Sequence, residues 1–430
     1  YGSSFEWTKT GDTAWTLSAE DGNMYSYFAT RTATATVQPT AGSSGALNAT
    51  VTFSCTPGDG SAVKTAFVNL KANVKDFMVA GDPIDLTMGK AVPAGTKLTV
   101  KGTAADVEWS VLNDDGLTAA GVTVDKNGTL SGTPTVPGPY RMTVTATKGT
   151  TTATSIVTVY VKIPERAGFS EYGTLTVGEN TYLDVRENHS GSGWNWDTRT
   201  GVLTLDNYNG GRLDATSFGD APLYIRLRGS STVTAPSQIA IHGPYEKGTV
   251  LCGSGNLTVN GTGDVVMKYA LDVRGSGKIR LNGTGAYQNV VDGSLTVGEN
   301  GVVEIIGSGA GCTGICGALT VNGGTLDITV TGERSCGIEV SYKNSITIPT
   351  GTVTVTAKGA GSKGMDATQC SNFQVSGGTL TVDVEGDSSY THETYAVYAS
   401  QTTVRVSGGG TFDITGKQVN RGIYWAMLDV

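Results

Sequence analysis

Apolar and polar residues alternate with a period of two along most of the chain, which is the pattern of strands that bury one face. Runs such as VTVYV and GTLTVDV are separated by clusters of Gly, Pro, Asn and Asp, residues that favour tight turns. No long segment has the 3.6-residue period of an amphipathic helix. The pattern therefore predicts an all-β protein.

The alternating runs become a repeat from about residue 252 onward. The strand before each glycine turn begins at Leu319, Ile346, Phe373 and Val404, at offsets of 27, 27 and 31 residues. A second strand follows each turn, and a third strand reads GIEV, GMDA, AVYA and GIYW in successive repeats. Three short strands per repeat predict a parallel β-helix, whose coils stack about 4.8 Å apart. We expect this β-helix to be right-handed, although the repeat alone does not set its hand.

Stacked coils bring equivalent residues of successive repeats together, so the repeat also predicts ladders of like side chains. We expect two inward apolar ladders and an outward threonine ladder, because β-branched residues suit a pleated surface. The inward ladders are Leu326, Val353, Leu380, Phe412 and Ile328, Val355, Val382, Ile414, and the outward ladder is Thr325, Thr352, Thr379, Thr411.

Residues 77–163 carry the strand pattern of a seven-strand sandwich, with Trp109 in mid-strand and turns at NG, GTP and PGP. From Gly121 to Thr147 the run GVTVDKNGTLSGTPTVPGPYRMTVTAT resembles the Ig domains of bacterial cell-surface proteins. This resemblance implies a spacer or adhesion module.

The same patterns divide the chain into three predicted domains. Residues 1–76 form a small β-sandwich or a partial Ig-like domain, residues 77–163 the Ig-like domain, and residues 164–430 the parallel β-helix with an N-terminal cap. The segment IPERAGF, residues 163–169, reads as the linker.

Composition and charge narrow the classes of function. The chain has 430 residues, a net charge of −8 and no Lys/Arg run, which disfavours a nucleic-acid partner. No apolar stretch reaches the roughly 18 residues of a membrane span. Thr-rich, Gly-rich and Lys-poor β chains are typical of exported proteins, and the chain begins at Tyr1 without Met. We therefore expect a mature or trimmed extracellular or cell-surface protein, which we take to be monomeric.

The six cysteines lack paired CxxC spacing and the chain has three histidines, so a thiolate zinc site is disfavoured. Cys312 and Cys336 each precede a GI strand in adjacent coils, which leaves a disulfide open. Small buried thiols are the favoured interpretation.

The stretch SGWNWDTRTGVLTLDNYNGG lies where the β-helix needs an N-terminal cap, because a solenoid must cover the open end of its core. The favoured interpretation is that Trp194 and Trp196 close this end, and that Tyr424 and Trp425 cover the other. The alternative is a stacking platform for a sugar ring, formed by the aromatic and acidic side chains of this stretch. Its candidate ligand-binding residues are Trp194, Trp196, Asp197 and Tyr208.

The GWNWD opening followed by Gly/Thr-rich coils resembles β-helix surface proteins of gut-type Gram-positive bacteria, over residues 170–430. Some relatives of that kind are carbohydrate-binding domains that recognise acidic plant polysaccharide and use calcium. The resemblance implies a polysaccharide or host glycoconjugate as the partner.

Glu339 and Asp366 fall at the same outward position of adjacent coils. Two like charges about 5 Å apart are unfavourable unless a cation or a lysine lies between them. They are the candidate calcium ligands, and calcium is the one cofactor that the sequence leaves open. A solvated surface or a simple salt bridge is the favoured interpretation.

We therefore expect a secreted or cell-surface protein that binds polysaccharide or acts as an adhesin through its β-helix, without catalysis. One alternative is a polysaccharide lyase or hydrolase, which needs a groove with clustered carboxylates and an Arg or Lys base. The other is a structural surface stalk.

Overall fold

The computed structural model describes residues 4–11, 13, 15–19, 35–39, 45–56, 60–74, 77–102, 106–164, 173–340, 343–368, 370–386, 393–419 and 421–429. Its regular secondary structure is β-strand throughout, so the predicted all-β class is confirmed. Within the described chain no helix is long and apolar enough to cross a membrane.

The N-terminal strands are β1 (Ser4–Gly11), β2 (Trp15–Ala19), β3 (Ala35–Pro39), β4 (Gly45–Thr56) and β5 (Lys64–Val74). They form two antiparallel sheets, β1-β4-β5 and β2-β3. Their apolar cluster is small, with Leu47 and Ala49 buried against Val37 and Leu70.

The next eight strands are β6 (Phe77–Val79), β7 (Ile84–Thr87), β8 (Val100–Gly102), β9 (Glu108–Asn113), β10 (Val122–Val124), β11 (Leu130–Gly132), β12 (Gly138–Lys148) and β13 (Thr151–Lys162). One sheet has the order β7-β13-β12-β9, and the pairs β6-β8 and β10-β11 pack opposite it around a shared core. Strand β7 pairs in parallel with β13, whereas the other pairs are antiparallel.

Two side chains of this module have the roles that an Ig-like sandwich gives them. Trp109 on β9 is buried in the core, as its mid-strand position predicts. Tyr140 lies near the start of β12 and its hydroxyl donates to the Val136 carbonyl at 2.8 Å, which is a tyrosine corner. The predicted Ig-like fold of this region is confirmed.

The remaining strands are β14 (Thr174–Val177), β15 (Asn180–Asp184), β16 (His189–Gly191), β17 (Trp194–Asp197), β18 (Val202–Asp206), β19 (Asn209–Gly210), β20 (Leu213–Asp214), β21 (Leu223–Arg228), β22 (Ser230–Ala235), β23 (Ile241–His242), β24 (Thr249–Gly253), β25 (Asn256–Gly261), β26 (Val265–Lys268), β27 (Leu271–Val273), β28 (Lys278–Gly283), β29 (Asn289–Asp292), β30 (Leu295–Val297), β31 (Val302–Gly307), β32 (Thr313–Cys316), β33 (Leu319–Thr331), β34 (Cys336–Glu339), β35 (Ser345–Lys358), β36 (Lys363–Asp366), β37 (Asn372–Val375), β38 (Thr379–Glu385), β39 (Tyr395–Val406), β40 (Thr411–Lys417) and β41 (Arg421–Asp429).

From β18 onward these strands form a parallel β-solenoid of about eight turns, as the repeat predicts. Each coil contributes strands to three faces. The first face begins with β18, β21 and β24, the second with β19, β22 and β25, and the third with β20, β23 and β26. Strands β33 and β35 each cover the first and second faces, whereas β39 and β41 each run from the third face to the first.

The predicted ladders are confirmed by the register of β33, β35, β38 and β40, and they supply the core. Leu326 pairs with Val353, which pairs with Leu380, and all three side chains are fully buried. The predicted threonine ladder pairs in the same register and lies outward.

The solenoid begins about fifty residues before the repeat that the sequence shows. Parallel pairing starts where Leu203 of β18 meets Ile225 of β21, which in turn meets Leu251 of β24. These early coils keep the inward apolar ladder but lack the regular glycine-turn motif. The repeat could therefore not be aligned through them, although they fall within the predicted β-helix of residues 164–430. Before these coils, β16 pairs antiparallel with β17, and β17 pairs antiparallel with β18. We call this antiparallel region, residues 189–201, the N-terminal cap.

The Ig-like module contacts the first coils of the solenoid through a buried arginine. Arg226 of β21 is 5% exposed, and its guanidinium donates to the Pro139 carbonyl at 2.6 Å and the Asp115 carbonyl at 3.1 Å. It also lies 3.8 Å from the centre of the Tyr140 ring, a cation–π contact. Ile163, the first residue of the predicted linker, is buried nearby, while residues 165–169 lie outside the described chain.

The inward ladder makes a prediction about stability. We expect Leu326→Ala to cost about 2–5 kcal/mol, because it leaves a cavity between stacked coils. Thr325→Ala, one residue away on the outward ladder, should stay within about 0.5 kcal/mol of the parent. Denaturant unfolding of both variants checks this, and equal losses would contradict the assignment of inward and outward positions.

Candidate functional site

One outward position of the third face carries an ionisable side chain in each successive coil, unlike the threonine ladder of the second face. Strand pairing aligns these residues coil by coil. We call this series the third-face row, and its members are Asp214, His242, Lys268, Asp292, Cys316, Glu339, Asp366, Tyr398 and Tyr424.

Acidic and basic side chains are neighbours in the N-terminal half of the row. His242 Nδ1 lies 3.7 Å from a carboxylate oxygen of Asp214, and Lys268 forms an ion pair with Asp292. Burial raises the pKa of Asp214, but His242 and hydrogen bonds from Thr216 outweigh it and lower this pKa to about 2. The Asp214 carboxyl is therefore ionised at neutral pH.

An open cleft of about 540 Å³ lies on the third face beside the centre of the row. It crosses the coils of β32, β34, β36 and the start of β39. Its polar lining includes both signs of charge, and its lining residues are Gly311, Thr313, Arg334, Ser335, Cys336, Glu339, Gly361, Lys363, Asp366, Glu393 and Tyr395.

A lysine neutralises one of the cleft carboxylates. Lys363 Nζ lies 2.5 Å from Asp366 Oδ2, and it also lies 4.7 Å from the centre of the Tyr398 ring. Burial lowers the pKa of Lys363, but the hydrogen bond and charge of Asp366 outweigh it, so this pKa is raised above its ordinary value. Glu393, at the other side of the cleft, accepts a hydrogen bond from the Tyr395 hydroxyl.

Tyr287 borders the cleft with an open aromatic ring. Its side chain is 78% exposed, and a Cβ atom placed on Gly311 would lie 2.6 Å from the Tyr287 ring, so the ring covers that glycine. Tyr287 occupies a corner with φ of 57°, and the equivalent corners of the next coils are Gly311 at 65°, Arg334 at 59° and Gly361 at 68°. A bulky residue in this left-handed region carries backbone strain on the order of 1–3 kcal/mol, and such strained residues cluster at functional sites.

Three further tyrosines form a cluster at the C-terminal end of the row. The rings of Tyr398 and Tyr424 stack with centres 5.3 Å apart, and Tyr395 meets each of them at 5.3 and 5.5 Å. The guanidinium of Arg421 lies 4.3 Å from the centre of the Tyr424 ring. Aromatic rings beside carboxylates, a lysine and an arginine are the usual components of a small-molecule or sugar site.

The predicted ligand-binding residues of the WNWD stretch lie elsewhere, in the N-terminal cap. Trp194 and Trp196 are 7% and 1% exposed, and Trp196 packs edge-on against Phe218 at 5.3 Å. The Trp196 Nε1 donates to the Val185 carbonyl at 2.9 Å. A stacking platform needs an exposed ring face, so this burial favours the cap over the platform.

The other two candidates of that stretch also make local structural contacts. The Asp197 carboxylate accepts hydrogen bonds from the Thr200 amide and hydroxyl, both at 2.7 Å, which fixes the turn before β18. Tyr208 is 4% exposed and its hydroxyl donates to the Gly211 carbonyl at 3.1 Å.

At the C-terminal end, the prediction that Tyr424 covers the core is wrong. Tyr424 pairs in register with Tyr398 and lies on the third face, because the strand β41 continues the third-face row. The Trp425 side chain lies outside the described residues.

Glu339 and Asp366 are register partners in adjacent coils, as their spacing predicts. The cation beside Asp366 is Lys363, so a lysine supplies the charge compensation that stacked carboxylates need. Across the described ranges, three or more His, Cys, Asp or Glu side chains do not gather into a group that could hold a metal ion. Calcium binding by Glu339 and Asp366 stays a prediction.

Cys312 and Cys336 are free thiols, in agreement with the favoured interpretation. Their positions are one residue out of register, because Cys336 pairs with Thr313. Burial raises the pKa of the Cys336 thiol, and the charges of Asp366 and Glu339 raise it further.

Sequence reasoning did not assign the tyrosines of this face to a binding site, although the alignment of GIEV, GMDA, AVYA and GIYW contained part of the signal. In that alignment Tyr398 and Tyr424 fall in the same column as Glu339 and Asp366. Tyr287 could not be found in this way, since it lies in the variable loop before the third strand.

Comparisons with known proteins give no close relative. No protein-family model matches the chain, and no curated protein matches it. Among solved structures, PcdhgB3 EC1-4 is 14% identical, with 41% of this chain and 44% of that one covered and a TM-score of 0.17. Drosophila N-cadherin EC1-4 is 12% identical, with coverages of 44% and 57% and a TM-score of 0.16. An endo-fucoidan hydrolase from glycoside hydrolase family 107 is 16% identical, with coverages of 37% and 26% and a TM-score of 0.15. We draw no conclusion about function from scores this low.

The electrostatics of the row can be tested at Cys316. Burial and then the charges of Glu339 and Asp292 raise the pKa of this thiol to about 11. At pH 8 we expect iodoacetamide to alkylate Cys316 about a hundredfold more slowly than an ordinary thiol, because the thiolate reacts. Glu339→Gln should speed the reaction, whereas Glu385→Gln on the second face should not, as followed by peptide-resolved mass spectrometry. Reaction at the rate of an ordinary thiol would contradict the described environment.

Proposed function

We propose that this chain is an extracellular, non-catalytic polysaccharide-binding protein whose site is the cleft of the third face. The observation that carries the proposal is Tyr287, a 78% exposed residue whose ring lies over Gly311 at the border of a cleft lined by Glu339, Lys363 and Asp366. A sugar ring has an apolar face for an aromatic ring and hydroxyl groups for carboxylates and cations. Both kinds of partner are present within one cleft.

Charge favours a neutral sugar chain over an acidic one. In the cleft, Glu339, Asp366 and Glu393 are set against Lys363 and Arg334, and Lys363 is already paired with Asp366. The whole chain carries a net charge of −8, which repels a polyanion in the absence of a bridging cation. The sequence resemblance instead implies an acidic ligand that binds through calcium, so an acidic polysaccharide is compared with the neutral sugars in the experiment below.

The shape of the site favours an extended chain. The coils of the third face stack about 4.8 Å apart, so equivalent side chains recur at regular intervals along the solenoid. A β-1,4-linked chain of glucose, mannose or xylose is extended, and it can lie along such a face and contact several coils. We take β-1,4-linked oligomers of mannose, glucose and xylose as the probes.

Binding of these probes is predicted to depend on Tyr287. Tyr287→Gly places at this corner the residue that the next coil already has, so the fold should be preserved. We expect this variant to bind the preferred oligosaccharide at least about tenfold more weakly, by isothermal titration calorimetry. Thr354→Ala, on the second face, is the matched control and should bind as the parent does.

Polygalacturonate with calcium and with EDTA completes the screen. Binding of polygalacturonate alone, dependent on calcium and lost in Glu339→Gln and Asp366→Asn, would overturn the neutral-sugar proposal. Equal binding by Tyr287→Gly and the parent would also overturn it, because the proposed contact with Tyr287 would then contribute nothing to the affinity.

A glycan-cleaving enzyme is the second candidate, and the composition of the cleft favours it over a bare stalk. Three carboxylates, a lysine and an arginine line one open cleft, and these are groups that glycoside hydrolases and lyases use. Prolonged incubation of the same oligosaccharides separates the two functions. New reducing ends or unsaturated products, lost in Asp366→Asn, would establish catalysis.

A further inference from the structure

A second aromatic cluster lies on the third face, on the N-terminal side of the cleft. Tyr269 follows Lys268 of the row, and its ring stacks on His242 at 5.5 Å and meets Tyr245 edge-on at 5.4 Å. Tyr245 is 63% exposed, and the Lys268 ammonium lies 5.8 Å from the centre of the Tyr269 ring. The proposed cleft does not include these side chains.

Tyr269 occupies a corner that suits glycine. It follows the third-face strand with φ of 68°, and the equivalent residues of the next two coils are Gly293 at 147° and Gly317 at 155°. Their amides donate to the following coil in the same pattern as the Tyr269 amide does. A left-handed tyrosine at this corner costs on the order of 1–3 kcal/mol of backbone strain. Packing of the coils does not require a tyrosine here, because the next two coils have glycine at this position.

The two strained tyrosines border the third face from opposite edges. Tyr287 precedes strand β29 and Tyr269 follows strand β26, in adjacent coils. From His242 to Asp366 the row crosses five coil steps, which corresponds to about 24 Å along the solenoid. A glycan chain that lies in the cleft and continues toward the N-terminal coils passes between these edges.

We propose that Tyr269 and Tyr245 form an extension subsite for the same glycan. One extended chain then binds parallel to the solenoid axis, in the cleft beside Tyr287 and on to this extension subsite. This inference rests on the proposed function of the cleft. It adds that affinity depends on chain length, because a long oligosaccharide reaches the extension subsite and a short one does not. The second contact is then intramolecular, which raises affinity without any new binding partner.

The experiment compares oligosaccharides of two, four and eight units from the β-1,4-linked series that the parent binds best, by isothermal titration calorimetry. For the parent we expect the eight-unit chain to bind about ten- to a hundredfold more tightly than the two-unit chain. Tyr269→Gly should remove most of that gain and leave the affinity for the two-unit chain unchanged. Tyr287→Gly should weaken binding at every length, and Thr354→Ala at none.

The substitution itself is well suited to the test, since glycine is the residue that this corner has in the next two coils. Thermal unfolding of Tyr269→Gly should therefore match the parent within a few degrees, so that a loss of binding cannot be attributed to unfolding. Short chains that bind through Tyr287 with no gain in affinity from two to eight units would overturn the extension subsite and leave the proposed function intact. A gain with length that Tyr269→Gly retains would overturn it as well. Absence of binding to every β-1,4-linked probe would overturn the proposed function and the inference together.

Discussion

The structure depends on the in-register hydrogen bonding of parallel coils. Each coil offers its backbone to the next about 4.8 Å away, so every inward residue must pack on the equivalent residue above and below it. The fully buried series Leu326, Val353 and Leu380 satisfies this constraint. The same register acts on the outside, where it turns single side chains into rows. A functional surface on such a fold is therefore a property of a column of residues, and the third-face row is a column that combines charged and aromatic side chains.

The sequence predicted the columns far better than it predicted the corners. The period-two alternation and the offsets of 27 residues were enough to place Glu339 beside Asp366 and to assign the inward ladders. They were not enough for the early coils, where the apolar ladder persists without a glycine-turn motif. Pattern alone could not find Tyr287 or Tyr269, because loop length sets which residue reaches a corner and only the folded chain fixes φ. The two tyrosines became evident as left-handed residues at corners where the next coil has glycine.

Aromatic residues serve opposite purposes at the two places where the chain concentrates them. In the cap, Trp196 is 1% exposed and packs into the apolar core of the solenoid, as expected of a cap residue. On the third face, Tyr287 is 78% exposed although its corner would accept glycine. Composition cannot distinguish these two uses, since both stretches combine aromatic and acidic residues. Burial distinguishes them, and it moves the candidate site from the cap to the middle of the solenoid.

The central claim is that the third face binds a glycan chain along its axis, and a crystal structure of the chain with the best-binding β-1,4-linked octasaccharide tests it most directly. The account predicts sugar rings in the cleft, one of them stacked on Tyr287, with the chain continuing toward Tyr269. A saccharide bound on the threonine-rich second face, or at the cap beside Trp194, would contradict it.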